Sequence, residues 1–93
     1  SGDAMAATCK VHFDGAELTG FDWVAARLLP APLVRRLVAK RIAEHFQMTN
    51  VKPGELSFTL PEQPELVFEI IGQDGSFNAR PYLPETPQDT IES

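Results

Sequence analysis

The stretch FDWVAARLLPAPLVRRLVAKRIAEHFQM, from Phe21 to Met48, constrains this chain most. It is the one long helical pattern, and two prolines stand inside it. Pro30 ends a first helix, because a proline within a helix removes a donor and clashes with the preceding turn. Ala31 precedes Pro32 and is pushed away from the helical region. Pro32 then suits the first turn of a second helix. The spacing therefore predicts two helices joined by a sharp bend. The first runs to about Leu29, opened by a Thr19-Gly20-Phe21-Asp22 capping pattern, with Val24 and Leu28 inward and Trp23 at the flank. The second covers residues 32–48. Val34, Leu37, Val38, Ile42 and Phe46 recur at three- and four-residue steps and form an inward stripe. Arg35, Arg36, Lys40 and Arg41 fall on the outer side.

The remainder reads as strands. Cys9, Val11 and Phe13 alternate with Lys10 and His12, the period of a half-buried strand. Asp14-Gly15 is the dipeptide of a two-residue type I′ hairpin turn. Folding the chain back about it sets Phe13 against Ala16, His12 against Glu17 and Val11 against Leu18. Pro53-Gly54 marks a turn, and Leu56–Leu60 alternates as a strand. Residues 61–65, PEQPE, read as a loop whose prolines forbid ladder pairing. Leu66–Ile71 is the strongest strand. A second Asp-Gly at 74–75 returns the chain through 76–80, with Gly72 opposing Phe77, Ile71 opposing Asn78, Ile70 opposing Ala79 and Glu69 opposing Arg80. The last pair predicts a surface ion pair worth at most ~1 kcal/mol.

Hairpins imply an antiparallel sheet, and a sheet with one apolar face needs a cover. The reading is an α+β fold: a two-layer sandwich in the order β-β-α-α-β-β-β, with about five antiparallel strands covered on one face by the bent helical segment. A chain of 93 residues makes one small domain, here residues 8–83. Residues 1–7 read as a disordered N-terminus that is partly an expression remnant, with the native start near Met5. Residues 84–93, proline-containing and acidic, read as a disordered tail.

Charge and chemistry narrow the function classes. The net charge is −5, which argues against nucleic acid, since phosphate binding needs surplus Lys and Arg. Residues 1–50 hold six basic and five acidic side chains; residues 51–93 hold two and eight. Five of the eight basic residues lie in the helical segment. The single Cys9 makes no intramolecular disulfide or zinc site and suits a reducing compartment. With no secretory pattern at the start and no apolar run of membrane-spanning length, the chain reads as soluble and cytoplasmic. No glycine-rich phosphate loop, nucleophile–base pair or metal-ligand spacing appears, so no cofactor, metal or catalytic residue is assigned. Cys9 reads as a packed apolar side chain, His12 as a surface partner of Glu17, and His45 as a residue favoured by the helix dipole near its C-terminus.

What remains is interaction. The expectation is a small non-catalytic protein-interaction domain, an adaptor, accessory or regulatory subunit. Arg35, Arg36, Lys40 and Arg41 form one candidate docking face, suited to an acidic partner because arginine binds carboxylates through a planar fork. Val67 and Ile71, with Arg80 and Tyr82, form another on the sheet face away from the helices, a surface through which a second copy could make a homodimer. Strands 76–80 and 56–60 are candidate edges for strand addition. An anionic membrane surface is less favoured, since the apolar stripe is needed to cover the sheet. The alternative function is a binder or carrier of an apolar or lipid ligand held between helix and sheet.

Overall fold

The computed structural model describes residues 10–83. The segments read as N-terminal remnant and acidic tail, and Cys9, lie outside the described residues. The chain runs β1 (Val11–Asp14), a 3-10 turn (Gly15–Glu17), α1 (Trp23–Ala26), α2 (Ala31–His45), β2 (Asn50–Val51), β3 (Leu56–Leu60), β4 (Gln63–Gln73) and β5 (Ser76–Pro81). This is an α+β fold with one open, mostly antiparallel five-stranded sheet and one main helix.

β4 is the spine of the sheet. β3 pairs with its first half, and β5 with its second, both antiparallel. Gly72 pairs with Phe77 of β5 and with Val51 of β2. The two strands therefore flank β4 on opposite edges, and β2 continues the line of β3. The Asp74-Gly75 turn forms as its sequence demands, with φ of 54° and 81° at the two positions. All four predicted cross-strand pairs of that hairpin are present.

The first Asp-Gly behaves differently. There is no hairpin at Asp14-Gly15, and β1 does not pair with residues 16–19. The Asp14 carboxylate accepts from the Ala16 amide at 3.0 Å and opens a single 3-10 turn. β1 instead pairs in parallel with β3, Val11 opposite Leu56 and Phe13 opposite Phe58. A parallel neighbour requires a long crossover, and the helical segment is that crossover. Leu18 still reaches the core, at 7% exposure, but from the turn rather than from a strand.

The helices also depart from expectation. α1 is one turn, capped by Asp22, which accepts from Ala25 at 3.0 Å, and not by Thr19. Its inward residue is Ala26, while Val24 and Leu28 stand 77% and 85% exposed. α2 begins at Ala31, with Pro32 in its first turn, and ends at His45. Its buried residues are Val38, Ala39, Ile42 and Ala43, packed with Phe58, Phe68 and Ile70 of the sheet. The two alanines decide this rotation: a short side chain lets the helix backbone approach the sheet, and a leucine stripe would hold it away. Leu37 and Phe46, expected inward, are about two-fifths exposed. Phe58 and Phe68 stack with ring centroids 5.6 Å apart. Fully burying side chains of this kind contributes about 1.5–3 kcal/mol each.

The PEQPE segment is not wholly a loop. β4 starts at Gln63 and carries Pro64 within it, and the ladder accommodates this by a register shift between Thr59 and Leu60. A proline is tolerated at such an irregularity because the regular ladder is already interrupted there. β3 lies between β1 and β4, so it is not a free edge.

Candidate functional site

The rotation of α2 redistributes the basic residues. Arg35 lies three, four and seven residues before Val38, Ala39 and Ile42, so it shares their inward line. Its guanidinium carbon sits over the Phe68 ring, 5.1 Å from the centroid. This corrects the outward placement expected for it. Arg41 donates from Nη2 to the Gly20 carbonyl at 3.0 Å and ties the helix to the segment before α1. Arg27 pairs with Glu62 at 3.1 Å, both largely exposed. Only Arg36 and Lys40 of the cluster are exposed with neither an ion pair nor a side-chain hydrogen bond among the described residues. They are four apart, and Leu33 and Leu37 complete a lozenge in which every neighbour is three or four residues away. Leu33 is 36% and Leu37 40% exposed. The outer helix face thus carries two leucines and two cations side by side.

The bend between α1 and α2 opens a cleft of about 260 Å³ against the β3–β4 connection. Apolar side chains line much of it, among them Ala26, Leu29, Val34, Leu60 and Pro61, together with Trp23 and Arg35. Trp23 packs on Phe21 with ring centroids 4.6 Å apart. The Trp23 Nε1 and the Arg35 Nε are both buried and have no hydrogen-bond partner. Sequence reading missed this place. The signal was present in Arg35 standing on the line of Ala39 and Ile42, which a stripe drawn through the larger side chains passes over.

On the sheet face away from α2, the register lines up His12, Ser57, Glu69 and Arg80 across β1, β3, β4 and β5. His12 Nδ1 and Ser57 Oγ share a hydrogen bond of 2.9 Å, so the expected His12–Glu17 pair does not form. Arg80 Nε donates to Glu69 Oε2, as the sequence predicts, but Glu69 is buried rather than at the surface. Ser57 is fully buried and also hydrogen-bonds the Val11 carbonyl. Both bonds of the Ser57 hydroxyl stay within the sheet, so this row reads as a polar ladder that orders it. Val67 and Ile71 stand half-buried on the same face, with Tyr82 beyond them. The Tyr82 amide donates to the Val67 carbonyl at 2.8 Å.

That last bond fixes the phase of β5. Residues 76, 78 and 80 turn their amides toward β4, and 77, 79 and 81 turn theirs outward. Pro81 has no N–H, and the Ala79 N–H is taken by the neighbouring Asn78 Oδ1 at 2.9 Å. Of the outward N–H groups on this edge, only that of Phe77 is therefore left as a donor, beside the outward carbonyls. This is how natural sheets blunt an edge against strand addition.

A second cavity of about 450 Å³ lies among Phe13, Glu17, Leu18, Arg41, Glu44 and His45. His45 occupies the last turn of α2 and packs against Phe13 and Phe46. Among the described residues no group of three His, Cys, Asp or Glu side chains is placed to hold a metal ion. No described helix is long and apolar enough to cross a membrane. Comparison of the chain with protein-family models, with curated proteins and with solved structures finds no match.

Proposed function

We propose that this chain is a small protein-interaction module that docks an acidic, apolar-bearing segment of a partner protein on the outer face of α2. The observation that carries the reading is the lozenge of Leu33, Arg36, Leu37 and Lys40. The two leucines offer apolar area to a groove or helix, and the two cations are free for carboxylates on its rim. Burying a leucine that a monomer leaves partly in water favours association, and complementary charge sets partner choice and on-rate. The packing of α2 over one side of the sheet leaves this face outward. The net charge of −5 disfavours an anionic bilayer as the counterpart, and two leucines give little area for insertion.

The test is affinity capture from the native host with the wild-type chain, a Leu33→Asp/Leu37→Asp variant, an Arg36→Glu/Lys40→Glu variant and a Val67→Asp control on the sheet face. A partner retained by the wild type and by the Val67 control, and lost by both helix-face variants, supports the reading. The same proteins on all four baits, or loss only with the Val67 control, sinks it. Binding to anionic vesicles in place of any protein transfers the face to a membrane surface.

A second reading, a binder of an apolar small molecule, has one observation behind it. The interior between α2 and the centre of the sheet is closed to solvent, since Val38, Ala39 and Ile42 have no exposure. The cleft at the helix bend provides the apolar gap instead.

A further inference from the structure

We infer that the cleft at the helix bend binds a small apolar monocarboxylate, with the carboxylate on Trp23 Nε1 and Arg35 Nε and the apolar body against Leu29, Val34, Leu60 and Pro61. This inference rests on the second reading above and names its ligand class.

Four observations converge. First, Trp23 Nε1 and Arg35 Nε are buried donors without acceptors, and both residues line one cleft. Buried donors are nearly always satisfied in native proteins, so two from residues of one cleft point to an acceptor there. A carboxylate suits both donors, because it supplies acceptor oxygens and a charge complementary to the guanidinium together. Second, the charge balance of the lining is one positive. Arg27 and Arg35 face a single acidic residue, Glu62, which Arg27 holds in largely exposed positions on both sides. A monoanion neutralises that surplus and a dianion overshoots it. Third, Ala31 at the N-terminal end of α2 lines the cleft, and that end has neither a capping side chain nor an acidic residue in its first turn. The helix dipole there favours negative charge. Fourth, about 260 Å³ is room for roughly eight or nine groups the size of a water molecule, the scale of a medium-length acyl chain or a single aromatic acid. The Arg35 guanidinium is held over the Phe68 ring, so the donor is anchored before the ligand arrives.

The chain has one tryptophan, and it is in the cleft, which makes the test direct. Octanoate, 1-octanol and octylammonium are titrated into the wild-type protein while Trp23 emission and the single indole N–H resonance are followed. The expected result is saturable binding of octanoate with a downfield shift of the indole proton. 1-Octanol should bind about tenfold or more weakly, because it lacks the charge-assisted bond, and octylammonium weaker still. Arg35→Met, which keeps an apolar stem on Phe68, should abolish the preference for octanoate over octanol while octanol binding persists. The wild-type titrations stand even if that variant fails to fold. Equal affinity for octanoate and octanol overturns the carboxylate assignment and leaves the apolar-cleft reading intact. No change at Trp23 with any of the three probes overturns both. Octanoate binding without movement of the indole proton overturns the placement at Trp23.

Discussion

The dipeptide Asp-Gly occurs at 14–15 and again at 74–75, each time between a strand and a following segment that alternates apolar and polar residues. At 74–75 it makes a type I′ turn, with φ of 54° and 81°, and joins two long strands. At 14–15 it makes a 3-10 turn with ordinary negative φ at Asp14, and the chain departs toward the helices. Local turn chemistry is the same; the arms are not. β4 and β5 share six paired positions, including Ile70 with Ala79 and Glu69 with Arg80. The segment Ala16–Thr19 offers β1 four residues without a β-branched apolar side chain. β3 offers it Leu56 and Phe58 on the core side and Ser57 on the other. Each arm of a hairpin must repay the entropy of ordering it, and the weaker second arm loses to the distant strand.

The two glycines consequently do different work, and substitutions can break or sharpen the contrast. The largest effect is expected for Gly15→Ala. Gly15 is buried, and a Cβ there would stand 2.1 Å from the Thr59 carbonyl oxygen. Backbone must move, and unfolding in urea should show a loss of about 3 kcal/mol. Gly75 has open space around its Cβ direction but φ of 81°. Gly75→Ala should cost about 1–2 kcal/mol through the left-handed backbone alone. An equal loss at the two sites would mean that Gly15 also serves conformation and not close approach.

Asp14→Ala comes next. It removes the carboxylate that accepts from Ala16, a loss of about 1 kcal/mol, visible as a lower urea midpoint. Asp14→Asn should recover most of it. Of similar or smaller size is the difference between the two predicted cross-turn ion pairs. A double-mutant cycle on Glu69 and Arg80 should give a coupling of up to about 1 kcal/mol, since Arg80 is half exposed. The same cycle on His12 and Glu17 should give a coupling within about 0.3 kcal/mol of zero, because His12 is bonded to Ser57 instead. The smallest effect is expected for Asp74→Asn, within about 0.5 kcal/mol of wild type, because both residues accept the conformation that position needs.

Much of the candidate site was hidden by the same kind of competition. The basic cluster in Phe21–Met48 is legible from composition, and the bend from Pro30 and Pro32. Which arginines point where is not. Apolar residues surround α2 on more than one side, so Leu33, Val34, Leu37 and Val38 permit two inward stripes. The choice falls on the one containing Ala39 and Ala43, which brings Arg35 inside and leaves Arg36 and Lys40 out. Trp23 and Arg35 are twelve positions apart and belong to different helices. Nothing in their spacing announces a shared cleft, because the β3–β4 connection that closes it comes later in the chain.

The sequence by itself determined the features whose partners are near in the chain. These are the β4–β5 hairpin with its register, the break at Pro30–Pro32, the alternation of β3, and the class of fold as sheet plus helix. Their energetics are short-range: turn φ, missing amide donors, and the two-residue period of a strand. Only the tertiary structure decided the parallel docking of β1 on β3, the rotation of α2, the polar row from His12 to Arg80, and the cleft at the bend. Each of these is a contest between alternatives that are locally similar in free energy, and the burial of distant apolar surface selects among them.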